Sequence, residues 1–312
     1  MKYITFNQKY ENQIVNLWNE CCTCDSITIH KFRQQALYDD NFNPELCFIA
    51  LDEESVVGFI LATKRIFPYL ERGVEPTRGW INVLFVDKAY RNQGIGKYLY
   101  QLTEDKLKSL GVKEITLAAY SPSYFFSGID EINYHEASLF FKKLGYKSND
   151  YHYSMSINLK DYEMSKEIKI KKKELEDKGY QFAHFKYEYS LELLEFLKNE
   201  FGGGWKRNAL MSMKNGTAED VILLVLHHKQ ICGFSMSAID GNPCRFGPIG
   251  ISKDKRNEGI GTLLLQYALT DFKNKGIDSI FFMSTDENGK RYYERNGFEV
   301  IRVFKDYRKI ID

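Results

Sequence analysis

Two short segments of the chain combine an arginine with closely spaced glycines, and both could bind a phosphate group. The first is Arg91-Asn92-Gln93-Gly94-Ile95-Gly96 and the second is Arg256-Asn257-Glu258-Gly259-Ile260-Gly261, each between an apolar run and a predicted helix. Glycines allow a tight turn and let bare backbone N–H groups approach a ligand. The first N–H groups of a helix lack internal partners and lie at its partially positive end. The pattern therefore predicts two anion sites suited to phosphate.

The spacing excludes two common nucleotide-binding motifs. A dinucleotide-binding fingerprint needs a third glycine, where this chain has Leu99 and Leu264. A P-loop needs Ser or Thr after its lysine, but Tyr98 follows Lys97, and Arg91 stands where that motif has its first glycine. A helix-capping turn without a ligand is the alternative for each segment, and duplication with the same arginine and glycines disfavours it.

The two turns belong to a longer internal repeat, which indicates two domains of one kind. Gly111 and Gly276 end the two following helices at the same distance from the turns. Gly145-Tyr146 then matches Gly297-Phe298 with a shifted spacing, because the first copy has extra residues near 120–132. The first copy is also longer near residues 67–79. Both insertions fall where turn residues cluster, as loop insertions do.

Hydrophobic periodicity predicts the same order of strands and helices in both copies. In the first copy we expect strands at 3–6, 46–51, 56–63, 80–86, 114–119 and 151–159, and helices at 11–19, 29–38, 134–144 and from 95. In the second copy we expect strands at 180–185, 221–226, 231–238, 246–251, 279–284 and 300–307, and helices at 191–199, 261–275 and 290–296. The polar stretch 161–178 is predicted to be a partly helical linker.

The glycine segments resemble the coenzyme-A pyrophosphate loop of the GNAT superfamily of N-acetyltransferases. A later motif of that family, Ala-x-x-Leu-Tyr-x-x-x-Gly-Phe, is similar to residues 289–298 of the second copy and 137–146 of the first. The resemblance covers roughly residues 1–160 and 175–312. It implies an α/β (α+β) fold of two tandem domains, 1–162 and 163–312, the second starting with the linker helix. Each would be a mixed, mostly antiparallel, twisted sheet flanked by helices.

The resemblance also implies acetyl-CoA as co-substrate, held by the strand before each turn and by the turn itself. In the second copy the implied residues are Ile249, Gly250, Ile251, Arg256, Asn257, Glu258, Gly259, Ile260, Gly261 and Thr262. In the first copy they are Val86, Arg91, Gln93, Gly94, Ile95, Gly96 and Lys97. Main-chain N–H groups near Ile249–Ile251 would contact the thioester carbonyl.

A tyrosine hydroxyl could protonate the departing thiolate, and the resemblance assigns this role to Tyr293. Phe141 stands at the matching position of the first copy and has no proton to donate. Tyr120, Tyr134 or Tyr146 could substitute, and the spacing does not choose among them. We therefore expect an active second domain and a first domain that is structural, regulatory or only coenzyme-binding.

The general base is left open by the sequence. The segment 244–252 has no carboxylate, and Asp254 lies in the turn, where we expect it to be solvated. Asp240, Asp286 and Glu287 fall at predicted strand ends facing the expected cleft. A chain of water molecules is an equally good base.

Aromatic residues beside glycines are the candidates for an acceptor site. Trp205 follows Gly202-Gly203-Gly204, which suggests either a mobile loop with an aromatic lid or a flexible connection anchored by one tryptophan. Tyr124-Phe125-Phe126 could play the same part in the first domain or cover its neighbour. With Asp240 and Asp286, Trp205 completes the candidate acceptor residues.

Composition excludes several classes of protein. The 312 residues carry 43 basic and 42 acidic side chains, so there is no basic surplus for a nucleic acid. No apolar stretch is long enough to span a membrane, and the N-terminus has no secretory pattern, so we expect a cytoplasmic protein. The six cysteines should be free thiols there. The cluster Cys21-Cys22-Thr23-Cys24 lacks a second ligand pair, so we expect no metal.

The sequence thus predicts an N-acetyltransferase in which an amine attacks acetyl-CoA directly. The acceptor would be a primary amine of a small molecule or peptide. The main alternative is an acyl-CoA-binding sensor without turnover. A transferase that uses aminoacyl-tRNA is disfavoured by the balanced charge. A homodimer is compatible with the sequence.

Overall fold

The computed structural model describes residues 1–311, which form two compact units. The first unit contains Met1–His152 together with the C-terminal residues from Arg302 onward. The second unit contains Tyr153–Ile301. No helix of residues 1–311 is both long and apolar enough to cross a membrane.

Residues 1–311 contain both strands and helices. The strands are β1 (Lys2–Thr5), β2 (Cys47–Asp52), β3 (Ser55–Lys64), β4 (Arg78–Val86), β5 (Glu114–Leu117), β6 (Ile129–Asp130), β7 (Lys147–Asn158), β8 (Tyr180–His184), β9 (Ile222–His227), β10 (Gln230–Ser237), β11 (Phe246–Ile251), β12 (Ser279–Thr285) and β13 (Glu299–Ile310). The helices are α1 (Glu11–Cys21), α2 (Ile29–Phe32), α3 (Ile95–Ser109), α4 (His135–Lys143), α5 (Lys166–Asp177), α6 (Ser190–Phe201), α7 (Gly203–Lys214), α8 (Ala218–Val221), α9 (Ile260–Asn274) and α10 (Glu287–Glu294).

The sheet of the first unit has the order β1, β2, β3, β4, β5 and the C-terminal part of β13. β4 and β5 run parallel from Arg78–Glu114 to Ile81–Leu117, and the other neighbours run antiparallel. In the second unit β8, β9, β10 and β11 form an antiparallel sheet, and β12 pairs antiparallel with the last residues of β7. The mixed, mostly antiparallel architecture is therefore confirmed.

Helices cover both faces of each sheet. Successive side chains of a strand point to opposite faces, so an apolar strand presents apolar side chains to the helices on both sides. In the first unit Ile49 and Phe59 pack toward α1, whereas the neighbouring Ala50 and Ile60 pack toward α3. In the second unit α5 and α9 cover one face, and α6 and α7 cover the other. Two-sided burial explains the near-continuous apolar sequence of β3.

Each sheet is distorted just before its glycine turn. The register of β3 and β4 shifts between Leu61 and Ala62, which leaves Asn82 as an extra residue on β4. The register of β10 and β11 shifts in the same way between Ser235 and Ser237. Such bulges bend and twist the strand that carries them. β4 pairs with β5 only as far as Ile81. In the second unit an isolated parallel bridge joins Arg245, the residue before β11, to Phe281 of β12. The neighbouring strands therefore part beside each turn.

The units do not coincide with the predicted domains 1–162 and 163–312. Residues 153–162 belong to the second unit, and the residues from Arg302 onward belong to the first. The reason is strand pairing: Tyr307–Ile310 pair with β5, and Met155–Asn158 pair with β12. An amphipathic strand fits many antiparallel edges, so its own sequence does not say which sheet it joins.

The helix predictions are confirmed in part. The linker is partly helical as predicted, since α5 covers Lys166–Asp177. The glycine-rich segment is not a loop, because Gly203 and Gly204 form the first turn of α7. The sequence analysis missed α7, since three consecutive glycines ordinarily disfavour a helix.

Candidate functional site

The two glycine turns have the same backbone conformation. Asn92 and Asn257 have φ of 61° and 67°, and Gly94 and Gly259 have φ of 85° and 82°. This left-handed region is costly for most side chains and free for glycine, which explains the glycine just before each helix. α3 and α9 begin at the next residue, so their unpaired N–H groups face the turn.

The arginine of each turn ties the turn to the preceding strand. Arg91 Nε donates to the Val86 carbonyl oxygen at 3.1 Å, and Arg256 Nε donates to the Ile251 carbonyl oxygen at 3.4 Å. Arg91 Nη1 also lies 3.9 Å from Glu136 Oε2. The repeated arginine therefore has a structural contact as well as the predicted anion-binding role.

A cavity of about 580 Å³ lies where β4 and β5 part in the first unit. Its wall includes Val86 and, from the turn and helix α3, Arg91, Gly94, Gly96 and Lys97. A Cβ placed on Gly94 would meet nothing within 4 Å. One on Gly96 would meet Val86 and Phe140 at 3.5 Å or more. The helix N-terminus is therefore open to a ligand.

A cavity of about 470 Å³ occupies the corresponding place in the second unit. Ile249, Gly250, Ile251 and Gly261 line it. Gly250 is required by packing, because a Cβ there would come within 2.5 Å of the Phe201 ring.

The other predicted coenzyme-binding residues do not line the cavities. Ile95 and Ile260 are buried in the cores. Gln93 Nε2 donates to the Ala89 carbonyl oxygen at 3.1 Å, and Glu258 accepts a hydrogen bond from the Tyr180 hydroxyl at 3.0 Å. The remaining ones, Arg256, Asn257, Gly259 and Thr262, lie in the turn or first helical turn outside the second cavity.

Two adjacent tyrosines of α10 line the second cavity. Tyr293 packs between Phe282 and Phe298, with ring centroids 4.4 and 5.2 Å away. Burial, and then the neighbouring Tyr292, raise the pKa of Tyr293 well above its usual value. Tyr292 Oη lies 3.9 Å from a Cβ position on Gly261, and burial raises its pKa to about 12. Both hydroxyls therefore stay protonated at neutral pH, and the sequence analysis missed Tyr292.

Trp205 lines the second cavity as part of a helix. It stacks on Phe201 with a centroid distance of 4.8 Å and contacts Phe234 at 5.5 Å. The prediction that Trp205 lies on a mobile loop is therefore wrong, because the residue belongs to α7. Its predicted position at the cavity agrees with the structure.

The carboxylates proposed for the second domain lie outside its cavity. Asp240 is exposed and accepts from the Asn242 N–H at 3.1 Å. Asp286 caps α10 by accepting from the Gly289 N–H at 2.8 Å. Glu287 forms an exposed ion pair with Arg291 at 3.4 Å. Strand-end position in the sequence did not distinguish a capping side chain from one that faces the cleft.

The first cavity contains one of the three tyrosines that could replace Phe141. Tyr134 lines the cavity, and its hydroxyl donates to Asp25 Oδ2 at 2.7 Å. Tyr120 instead bonds to Asn41 and Asp39, and Tyr146 is buried against Tyr100. Of these three tyrosines, only Tyr134 lines the first cavity.

The aromatic pair Phe125–Phe126 and the cysteine cluster, the last candidates from the sequence, both lie in the first unit. Phe125 and Phe126 pack on Trp18 within the first unit, with centroid distances of 5.2 and 6.0 Å, so they form no free lid. Cys21 and Cys22 line the first cavity as free thiols. Within residues 1–311 no group of His, Cys, Asp and Glu is arranged to hold a metal.

Two models of one protein family match the two copies. The acetyltransferase (GNAT) family model matches residues 12–124, and the acetyltransferase (GNAT) domain model matches residues 218–300. Together they cover more than half of the 312 residues.

Curated relatives match a shorter part of the chain. N-alpha-acetyltransferase 30 of Dictyostelium discoideum is 33% identical over 93 residues, which are 30% of this chain and 44% of that protein. N-alpha-acetyltransferase 30 of Schizosaccharomyces pombe is 31% identical over 103 residues, 33% of this chain and 58% of that protein. The chain thus spans only about half the length of these relatives.

Solved structures share the fold over nearly the whole chain. A "GCN5-related glucosamine N-acetyltransferase region" of a fungal enzyme has a TM-score of 0.80 at 16% identity, covering 99% of this chain and 38% of that one. The "tandem GNAT protein from the clavulanic acid biosynthesis pathway" has a TM-score of 0.64 at 12% identity, with 99% and 98% coverage. With both glycine turns and both family models in place, the chain belongs to the GNAT superfamily as a tandem, two-domain member.

Proposed function

We propose that the protein is an acetyl-CoA-dependent N-acetyltransferase whose second unit is catalytic. The observation that carries this proposal is the shared cavity of Tyr293, Ile249–Ile251 and Gly261. The strand would offer N–H groups to the thioester carbonyl, and the helix N-terminus would hold the phosphates. In the reaction the amine nitrogen bonds to the carbonyl carbon, the C–S bond breaks, and the sulfur takes a proton.

The acceptor is a primary amine of a small molecule or a peptide. The matched relatives are named N-alpha-acetyltransferases, which supports an α-amino group as one candidate. Tyr293 protonates the thiolate, and water carries away the amine proton, since no described carboxylate lines this cavity. The same lack of a carboxylate favours the second candidate function, acyl-CoA binding without turnover.

Tyr293→Phe is expected to lower kcat at least ~100-fold, the contribution of a general acid. The variant should be made together with Gly96→Glu, which blocks acetyl-CoA at the first unit, and tested on a panel of primary amines by thiol release. The dissociation constant of acetyl-CoA should stay within about threefold, because the ring remains. Since the pKa of Tyr293 is raised, activity should rise with pH through the pKa of the amine without falling again below about pH 10.

Tyr292→Phe is the matched control for this experiment. Its hydroxyl lies beside Gly261 and should affect acetyl-CoA affinity more than kcat. Unchanged turnover in Tyr293→Phe would contradict the assignment of the proton donor. Acetyl-CoA binding without acetylation of any amine would favour the sensor.

Lys171 of the linker helix is expected to strengthen acetyl-CoA binding by the second unit. A Cβ on Gly259 would lie 3.1 Å from Lys171 Cε, so this side chain covers the turn. Lys171→Ala should weaken binding about three- to fivefold at low salt and less at high salt, as for one partly exposed ion pair. The exposed Lys173→Ala on the same helix is the control in calorimetry. Tighter binding in Lys171→Ala would mean that the lysine obstructs the turn instead.

A further inference from the structure

The first unit has a buried hydrogen-bond acceptor without a partner at its cavity. Asn82, the extra residue of the β4 bulge, is 6% exposed and lines the cavity. Its Nδ2 donates to Thr63 Oγ1 at 2.8 Å, but its Oδ1 has no hydrogen-bond partner in residues 1–311. Buried acceptors are nearly always paired, so the exception marks a place for a donor from a ligand.

Tyr134 adds a second acceptor to the same cavity. Its only proton is donated to Asp25 Oδ2 at 2.7 Å, so the lone pairs of its oxygen are left for another donor. Burial and this hydrogen bond raise the pKa of Tyr134, which keeps the hydroxyl protonated at neutral pH. Asn82 and Tyr134 therefore both offer oxygen atoms that accept hydrogen bonds.

The charged side chains next to Tyr134 favour the binding of a cation in the first cavity. Arg302 Nη2 donates to Asp25 Oδ2 at 2.8 Å, and its Nε donates to Asp130 Oδ2 at 2.7 Å. Two carboxylates thus share one guanidinium group, which leaves an excess negative charge. An ammonium group or an amine N–H donor matches this field and both acceptor oxygens.

Apolar side chains form much of the remaining wall. Phe126, Ile129, Phe141 and Phe304 line the same cavity. The phosphate-binding turn lies at a distance, because Asn82 precedes Val86 by four residues, about 13 Å along an extended strand. The cavity therefore has an anion-binding end and an amine-binding, apolar end.

We propose that the first unit is a second acyl-transfer site, which acetylates a primary amine carried on an apolar substituent and binds that amine through Asn82 Oδ1 and Tyr134 Oη. This inference rests on the proposed function, because the acyl donor is acetyl-CoA. The amine nitrogen bonds to the carbonyl carbon and the C–S bond breaks. One amine proton passes to Tyr134 as the tyrosine proton passes to Asp25, and the reverse transfer then protonates the thiolate. Asp25 acts through Tyr134 and is a positioning residue.

The test measures acetylation of 2-phenylethylamine by the Gly261→Glu protein, in which the second unit cannot hold acetyl-CoA. Asn82→Leu and Tyr134→Phe should each lower kcat/KM about 10- to 100-fold, the loss of one hydrogen bond to a charged group. Asn82→Asp keeps an acceptor oxygen and should retain activity. Thr63→Val removes only the hydrogen-bond partner of Asn82 Nδ2 and should have little effect on kcat/KM. Asn208→Leu, which makes the same substitution at the second cavity, is the matched control for Asn82→Leu.

A binding measurement separates this inference from the proposed function. Calorimetry of the CoA-saturated protein should show that 2-phenylethylamine binds. The N-acetylated form of this amine should not bind. Asn82→Leu should weaken that binding by the same factor. If the wild-type protein acetylates no amine, the proposed function fails, and this titration alone decides on the amine subsite. If acetylation occurs but Asn82→Leu and Tyr134→Phe change neither turnover nor amine affinity, the inference is overturned while the proposed function stands.

Discussion

Gly96→Glu and Gly261→Glu are each expected to weaken acetyl-CoA binding about 1,000-fold at the unit that carries the change. A carboxylate placed about 4 Å from a phosphate charge costs ~4 kcal/mol at the effective dielectric of a protein surface. Neither glycine has a positive φ, and a Cβ on either would have its nearest neighbour at 3.5 Å or more. The substitutions should therefore leave the fold intact and act on the ligand.

The controls separate charge from bulk. Gly96→Gln and Gly261→Gln fill the same space without the charge and should cost far less affinity. Calorimetry gives both affinity and stoichiometry. Two sites in the wild-type protein and one in each Glu variant would mean that both units bind. Loss of all binding in Gly261→Glu alone would confine the coenzyme to the second unit. Wild-type affinity and stoichiometry in both variants would contradict the role of the glycine turns.

Arg302→Leu is expected to destabilise the first unit by about 3–5 kcal/mol. The side chain pairs with Asp25 and with the fully buried Asp130, and its removal leaves both carboxylates without the one counter-charge that they share. Denaturant unfolding followed by tryptophan emission measures the loss. A Trp205→Phe background restricts the signal to Trp18 and Trp80 of the first unit.

The pH dependence of that loss identifies its electrostatic origin. In the wild-type protein burial raises the pKa of Asp130, but hydrogen bonds from Asn133 and Arg302 outweigh it and lower the pKa overall. Its stabilisation is therefore present above the unfolded pKa and disappears as pH falls through the folded one. Without Arg302 one of the hydrogen bonds that lower the Asp130 pKa is lost, so the folded pKa should lie higher than in the wild-type protein and protonation should relieve the destabilisation at a higher pH. The difference between the proteins should shrink from pH 7 toward pH 4.5.

Arg308→Leu is the matched control on the same strand. Arg308 pairs with Asp306 at 3.6 Å and is 44% exposed, so its loss should cost less than about 1 kcal/mol. Equal effects of Arg302→Leu and Arg308→Leu at all pH values would contradict the role given to the Asp25–Arg302–Asp130 network.

The glycine turns and the buried strands could be predicted from the sequence because both depend on residues that are neighbours in the chain. Each turn needs a left-handed residue before a helix, and Gly94 and Gly259 supply it at matching positions. Burial on both sheet faces follows from apolar runs such as β3. The tandem repeat, the two glycine turns and the change from Tyr293 to Phe141 were therefore determined by the sequence alone.

Other features depend on contacts between residues far apart in the chain, so they follow from the folded arrangement and not from any local pattern. Arg302 meets Asp25 because the last strand joins the first sheet, a pairing that no local pattern encodes. Tyr134 lines the first cavity whereas Tyr120 and Tyr146 do not, and the spacing of the three in the sequence does not indicate this. The bulge that leaves Asn82 without a partner residue on β3 arises from the register of two strands, and a register is a property of the pair rather than of either sequence.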